Sequence, residues 1–112
     1  TLAFLDIQPS SQGHTLVIPK THIETLNELT DEQAKNLMLT VKKITNSILK
    51  SSEGCNILQN NKEAAGQVVP HVHFHIVPRK QGDGLHTGFG KHIEYKKDEK
   101  EGSIKKIKQG LD

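Results

Sequence analysis

Three histidines, His71, His73 and His75, alternate with apolar residues in segment 71–77 of this 112-residue chain. Side chains on a β-strand point alternately to the two faces of the sheet. On a strand, the three imidazoles would therefore share one face, and the apolar side chains between them would pack against a helix. A half-exposed strand needs only some polar residue at those positions. Three histidines at this spacing therefore favour a chemical site over a merely polar surface.

A metal centre is one alternative for this cluster. At about 3.3 Å per residue, the Cα atoms of His71 and His75 lie about 13 Å apart, whereas Zn–N bonds measure about 2.0–2.1 Å. One ion therefore cannot easily bind all three rings, although two rings and a distant residue could hold one. No acidic residue lies within the segment to support a ligating histidine from behind.

Nucleophilic attack on phosphorus is the alternative that we favour. An imidazole with an ordinary pKa of about 6.5 is nucleophilic at neutral pH. Its attack on phosphorus gives an adduct that water can resolve, and neighbouring rings can donate hydrogen bonds to phosphate oxygens. We expect phosphoryl or nucleotidyl transfer through His73, flanked by His71 and His75.

The remaining patterns predict the elements that position this cluster. Four strands are predicted, over residues 2–7, 14–19, 55–60 and 71–77. Apolar residues at helical spacing predict one long helix from about residue 31 to 51, and Thr30 with Gln33 fits a capping box at its start. The order β-β-α-β-β predicts an α+β fold, in which an antiparallel sheet is covered by one long helix.

Composition limits the class of protein. The mass of 12.4 kDa fits one domain, and a net charge of +2 is too balanced for a protein that coats nucleic acid. The chain has no apolar stretch of the roughly 18 residues that a membrane span needs, so we expect neither nucleic-acid nor membrane partners. Cys55 is the single cysteine, which favours a reducing, cytoplasmic compartment and a packing role for that side chain.

The chain divides by composition into a core, residues 1–79, and an extension, residues 80–112. The extension holds six of the nine glycines and few apolar residues. It therefore predicts a loosely ordered, glycine-rich and lysine/glutamate-rich tail with at most a short solvated helix. We assign its histidines, His86 and His92, to solvent or to a dimer surface. Because Thr1 lies within an apolar run, we also expect residues to precede it.

The two histidine-bearing segments resemble the signatures of the histidine triad family. Segment 71–77 resembles its triad motif, and segment 13–23 resembles its second signature, in the same order and at the same separation. The resemblance covers about residues 1–79, and Pro78-Arg79-Lys80 is similar to the fragile histidine triad and bacterial branches.

This resemblance implies a nucleotide hydrolase or nucleotidyl transferase. Such an enzyme cleaves at the α-phosphate of a dinucleoside polyphosphate or a nucleoside phosphoramidate through a nucleotidyl-histidine intermediate. It needs no cofactor for catalysis and forms a homodimer whose sheets join. A non-catalytic nucleotide-binding or scaffold protein with the same fold stays open as an alternative.

The resemblance also implies individual roles. His73 would be the nucleophile, oriented by the backbone carbonyl of His71. His71 and His75 would contact phosphate oxygens, and His14 would support the cluster from the adjacent strand. The substrate-binding residues that the resemblance implies are Phe4, Asp6, Ile7, Asn60, Gly66, Gln67 and Val68.

Several of these implied roles are specific. Asp6 would accept hydrogen bonds from ribose hydroxyls, and Asn60 would contact phosphate or ribose. Phe4 and Ile7 would line the base pocket, although strand packing explains them equally well.

The segment Gly66-Gln67-Val68 resembles the loop whose backbone amides cradle the phosphate, with the Gln67 side chain near the leaving group. Members often have Ser or Thr where this chain has Val68, so assistance to the leaving group is not carried over. A structural zinc, held in some relatives by an upstream Cys-x-x-Cys and a histidine similar to His22, also stays open.

Overall fold

A four-stranded antiparallel sheet with two helices forms the computed structural model, which describes residues 1–85 and 93–111. The strands are β1 (Leu2–Leu5), β2 (Thr15–Ile18), β3 (Gly54–Leu58) and β4 (Phe74–Arg79), in the spatial order β1-β2-β4-β3. The helices are α1 (Asp31–Leu49) and α2 (Glu99–Gly110), and two short 3₁₀ turns cover Leu26–Glu28 and Glu63–Ala65. The predicted α+β class and antiparallel sheet are confirmed.

Helix α1 begins at the predicted capping box. The Gln33 amide donates to the Thr30 hydroxyl at 3.1 Å, and the Thr30 amide donates to the Gln33 side-chain oxygen at 2.8 Å. These two bonds satisfy donors that the first helical turn leaves without partners.

The core lies between α1 and one face of the sheet. Leu37, Val41, Ile44 and Ile48 of α1 pack with Val17, Phe74 and Ile76 of the sheet, and all are buried. Successive residues of a strand point to opposite faces of the sheet. The residues that directly precede and follow Val17, Phe74 and Ile76 therefore lie on the face away from α1.

Strand β4 begins at Phe74, three residues later than predicted. The last pairs along the sheet are Val17 with Phe74 and Leu58 with His75. The Val72 amide instead donates to Ile23 O at 2.7 Å, so the chain before Phe74 is held by the loop after β2. The predicted alternation of environments nevertheless holds, because Val72 is buried whereas His71 and His73 are half-buried.

The extension is more ordered than its composition suggests. Instead of a solvated tail, α2 packs against α1, with Ser103 and Gly110 buried and Ile107 against the core. The Ser47 hydroxyl donates to Ile107 O at 2.5 Å. Upstream of α2, the Gly13 amide donates to the Tyr95 hydroxyl at 2.9 Å, which ties this segment to the β1–β2 loop.

The two tail histidines, His86 and His92, lie outside the described residues. Of the helices in the described ranges, neither has the length and apolarity needed to cross a membrane.

Candidate active site

The histidines lie on the sheet face opposite α1. The strand register aligns Phe4, Leu16, His75 and Leu58 in one row across the four strands. His14 precedes Leu16 by two residues, so it projects to the same side. The structure therefore brings His14 and His75 together, as the family resemblance implies.

His14 is fixed by a backbone amide. The ring is 2% exposed, and the Ser10 amide donates to its Nδ1 at 3.0 Å. A neutral imidazole has one lone-pair nitrogen and one N–H. Because Nδ1 is the acceptor, the proton of neutral His14 lies on Nε2. That Nε2 is 2.9 Å from Nδ1 of His75 and donates to it.

His75 is held neutral by its surroundings. Burial, together with the neighbouring His73 and His14, lowers its pKa from 6.5 to about 4, while Asp6 opposes the shift. Because Nδ1 accepts the bond from His14, neutral His75 carries its proton on Nε2. His75 can thus donate a hydrogen bond without carrying a charge.

His73 has the tautomer that a nucleophile needs. Its Nδ1 is 2.7 Å from the backbone oxygen of His71 and donates to it, since a carbonyl can only accept. The Nε2 of neutral His73 therefore carries the lone pair. The ring centroids of His73 and His75 are 4.8 Å apart with the ring planes at 72°, so the donor ring stands beside the nucleophilic ring.

His71 contributes its backbone carbonyl to His73, as the resemblance implies. Its own ring donates from Nε2 to Pro19 O at 3.0 Å. The ring of the exposed His22 stands edge-on to it, with centroids 5.0 Å apart. The described contacts of the His71 ring therefore anchor the triad segment to the loop after β2.

Asp6 lies beside His14. One carboxylate oxygen accepts from the Gln8 amide at 2.9 Å, and the other is 3.6 Å from His14 Nε2. The carboxylate is at the same sheet face as His75, where it can accept hydrogen bonds from a ligand.

In the loop before the triad, some backbone amides donate hydrogen bonds within the loop and others do not. The Gly66 amide donates to Glu63 O at 2.9 Å and the Gln67 amide to Lys62 O at 3.1 Å. Both donors are thus occupied within the loop. Among the described residues, the amides of Val68 and Val69 have no hydrogen-bond acceptor. Any cradle for an anion in this loop must therefore be made by those two amides, one position later than expected.

The Gln67 side chain also differs from the expectation. It is 6% exposed, accepts from the Lys62 amide at 2.6 Å, and donates to Glu24 O at 2.8 Å and Val69 O at 3.0 Å. A carboxamide with these three bonds is committed to the loop rather than directed at a leaving group. Asn60 packs on the same loop, because a Cβ on Gly66 would lie 3.3 Å from its side-chain nitrogen.

An exposed apolar surface adjoins the histidines. Phe4 is 46% exposed and Ile7 is 87% exposed. Packing inside the protein therefore does not explain the apolar side chain of Ile7, and it explains that of Phe4 only in part. Leu16 lies between Phe4 and His75 in the strand register and extends this surface toward the histidines.

Within the described ranges, one cluster has the composition of a metal site. Ligand atoms of Asp6, His14 and His75 lie within 4.8 Å of one another. The hydrogen bonds argue against a metal there. His14 Nδ1 is the acceptor of the Ser10 amide, so its Nε2 bears a proton and has no lone pair for a metal.

Three contributors were missed by sequence reasoning. Ser10 and Pro19 act through backbone atoms, so their residue types carry no signal. Leu16 could have been found, because the alternation from His14 places it on the same strand face.

Comparison with known proteins agrees with this geometry. A family model described as HIT domain matches residues 1–82. An uncharacterized HIT-like protein of Methanocaldococcus jannaschii is 50% identical over 90 residues, covering 80% of this chain and 70% of the relative. Adenosine 5'-monophosphoramidase hnt1 of Schizosaccharomyces pombe is 49% identical over 90 residues, covering 80% of this chain and 66% of the relative.

A solved structure supports the same assignment. The hypothetical histidine triad nucleotide-binding protein of Sulfolobus tokodaii superposes with a TM-score of 0.85 at 35% identity, covering 97% of this chain and 76% of that one. The match over residues 1–82 includes His14 and the whole triad. The chain belongs to the HIT domain family.

Proposed function

We propose that this chain hydrolyses nucleotides at the α-phosphate through a covalent nucleotidyl intermediate on His73. The bond from His73 Nδ1 to His71 O carries this proposal, because it leaves the Nε2 lone pair available for attack. His14 and His75 support it by forming a neutral hydrogen-bonded pair beside that nucleophile.

The reaction would take place in two displacements. In the first, Nε2 of His73 bonds to the α-phosphorus while the bond to the leaving group breaks and its electron pair departs with that group. His75 Nε2–H and the amides of Val68 and Val69 would donate to the phosphoryl oxygens as charge builds on them. Donors of this kind are worth about 3 to 4 kcal/mol each in comparable oxyanion sites.

In the second displacement, water attacks the adduct. A new P–O bond forms, the P–N bond breaks, and its electron pair returns to His73 Nε2. The proton released by the attacking water passes to solvent. The ring regains its starting tautomer because Nδ1 donates to His71 O throughout.

The substrate we propose is a dinucleoside polyphosphate or a nucleoside phosphoramidate. Asp6 would accept from the ribose hydroxyls, since a carboxylate only accepts hydrogen bonds, and Asn60 would contact phosphate or ribose. Phe4, Ile7 and Leu16 would contact the base. The monophosphoramidase name of the fission yeast relative supports a phosphorus–nitrogen bond as one target.

We propose that the active form is a homodimer in the cytoplasm. Strand β3 lies at one edge of the sheet, where its outer backbone groups can pair with another strand, and Ile57 on β3 is 46% exposed. Met38 and Leu49 are also exposed, and they lie on one side of α1, since eleven residues complete about three turns. A second copy that joined its β3 here would cover these apolar groups.

The proposed function is tested by replacing the nucleophile. We expect His73→Ala to abolish turnover of adenosine phosphoramidate and of a dinucleoside polyphosphate, and a chelator to leave wild-type turnover intact. His22→Ala, which removes an exposed histidine outside the proposed machinery, should keep at least a tenth of the wild-type rate. Wild-type rates in a folded His73→Ala protein would show that the mechanism is wrong. Nucleotide binding without any wild-type turnover would favour the scaffold alternative.

A further inference from the structure

Lys62 holds a backbone conformation that suits glycine. Its φ of 73° and ψ of 161° place a residue with a Cβ in a region that is otherwise almost restricted to glycine. Such a conformation persists only where the surrounding structure enforces it. Lys62 immediately precedes the 3₁₀ turn Glu63–Ala65, which leads into Gly66.

Gln67 supplies the contacts that enforce this conformation. Its side-chain oxygen accepts from the Lys62 amide, and its own amide donates to Lys62 O, so residues 62 and 67 are joined by two bonds. Its side-chain NH₂ then reaches Glu24 O in the loop after β2 and Val69 O. One buried carboxamide thus connects both ends of the turn to a separate part of the chain.

The same contacts determine where Val68 and Val69 present their amides. Val68 follows Gln67 directly, and its side chain is 90% exposed, so side-chain burial contributes little to its position. The carbonyl of Val69 is held by Gln67, and the next bond, from the His71 amide to Val69 O at 2.8 Å, leads into the triad. The orientation of both amides relative to His73 therefore depends on Gln67.

We infer that Gln67 is a positioning residue that holds strained Lys62 and thereby aims the Val68 and Val69 amides at the phosphoryl group. This inference rests on the proposed function for its catalytic consequence. It assigns no contact between the Gln67 side chain and the substrate.

The test uses Gln67→Met, which keeps the length of the side chain but removes every polar contact. We expect the rate of His73 adduct formation to fall about tenfold to a hundredfold, because misplacing donors to a developing oxyanion is costly. Amide hydrogen exchange at Lys62, which donates to Gln67, and at His71, which donates to Val69 O, should accelerate in the free protein. Gln33→Met is the matched control, since it removes a carboxamide that bonds to backbone at the α1 capping box, and it should change neither quantity.

Lys62→Gly provides the rescue. Glycine adopts φ near 73° without steric cost. The double variant Lys62→Gly/Gln67→Met should therefore form the His73 adduct at least threefold faster than Gln67→Met alone. In the otherwise wild-type chain, Lys62→Gly should melt at a higher temperature than Lys62→Ala. That comparison needs neither catalysis nor a folded Gln67→Met protein.

Two outcomes would overturn the inference. One is a Gln67→Met protein with wild-type adduct formation and wild-type exchange at Lys62 and His71. The other is a Lys62→Ala protein at least as stable as Lys62→Gly. Absence of any adduct in the wild-type protein would instead contradict the proposed function, while the exchange and melting measurements would still decide the role of Gln67.

Discussion

At the scale of single residues, the site is defined by the direction of its hydrogen bonds. The Ser10 amide fixes the proton of His14 on Nε2, His14 fixes that of His75, and His71 O fixes that of His73. Each ring therefore has one proton position in its neutral form. The arrangement gives one nucleophilic nitrogen on His73 and one neutral donor on His75.

The depressed pKa of His75 predicts a pH dependence of stability. In the unfolded chain this ring binds a proton near pH 6.5, whereas in the native protein it does so only near pH 4. Between these values the unfolded state binds more protons, so stability is fully present above about pH 6.5 and falls as the pH drops toward 4. We expect the melting temperature of His75→Gln to fall less between pH 7 and pH 5 than that of the wild type.

The control for this measurement is His22→Gln, which replaces an exposed histidine. Its loss of melting temperature between the two pH values should match that of the wild type. A His75→Gln protein that shows the same loss as the wild type would contradict the assignment of the depressed pKa to His75.

At this scale the sequence and the family resemblance identified the residue types and the His71 carbonyl, but not the backbone partners Ser10 and Pro19. The alternation of histidines placed His75 on the correct face, whereas the place of His14 beside the cluster was implied by the family resemblance. The role of Gln67 could not be foreseen. A glutamine that contacts a substrate and one that contacts loop carbonyls look the same in a sequence.

At the scale of elements, α2 is the main departure from expectation. Its Lys and Glu content suggested a solvated segment, because low hydrophobicity disfavours a packed element. The contact with α1 is instead made by small residues: Gly110 lies directly against Ser47, so that the two helices approach closely. Glycine was interpreted as a sign of disorder, whereas at this position it allows close packing.

The α1–α2 contact predicts opposite effects for two glycines of α2. A Cβ on Gly110 would overlap the Ser47 hydroxyl and lie 3.0 Å from its Cα. We therefore expect Gly110→Ala to destabilise the protein by about 1–3 kcal/mol through overpacking. Gly102 has nothing within 4 Å of its Cβ position, so Gly102→Ala should stabilise α2 by about 1 kcal/mol through helix propensity.

Urea denaturation of the two variants measures both effects. Equal stability changes in Gly110→Ala and Gly102→Ala would mean that α2 does not pack on α1 as described.

The capping box of α1, unlike the α1–α2 contact, could be predicted from the sequence. Thr30 and Gln33 are close in sequence, so their pairing requires no knowledge of the fold. Packing between distant segments lacks such a local signal.

At the scale of the whole molecule, the sheet separates structural and chemical roles. One face packs on α1 through residues such as Val17 and Ile76, and the other presents the histidines beside Phe4. We propose that residues 1–79 form the catalytic core and that the extension, residues 80–112, supports it through α2. Exposed apolar residues, Ile57 at the β3 edge and Met38 and Leu49 on α1, then remain for a second copy.

The proposed homodimer predicts that Ile57→Glu shifts the protein to a monomer in sedimentation measurements. A charge at the edge of β3 would be buried without a partner in the dimer. Leu39→Glu is the matched control, because Leu39 is 58% exposed on α1 but lies about a quarter turn from the side that holds Met38. A wild-type protein that sediments as a monomer, or an Ile57→Glu protein that stays dimeric, would exclude this interface.

In the mechanism that we propose, His73 carries the nucleotidyl group. The most direct measurement is intact mass after the wild-type protein is mixed with adenosine phosphoramidate or a dinucleoside polyphosphate and quenched rapidly in alkaline denaturant. We expect a transient species heavier by one nucleotidyl group, located on His73 by peptide mapping and absent from His73→Ala. Turnover of the substrate with no such species at any time, or an adduct on another residue, would contradict this mechanism.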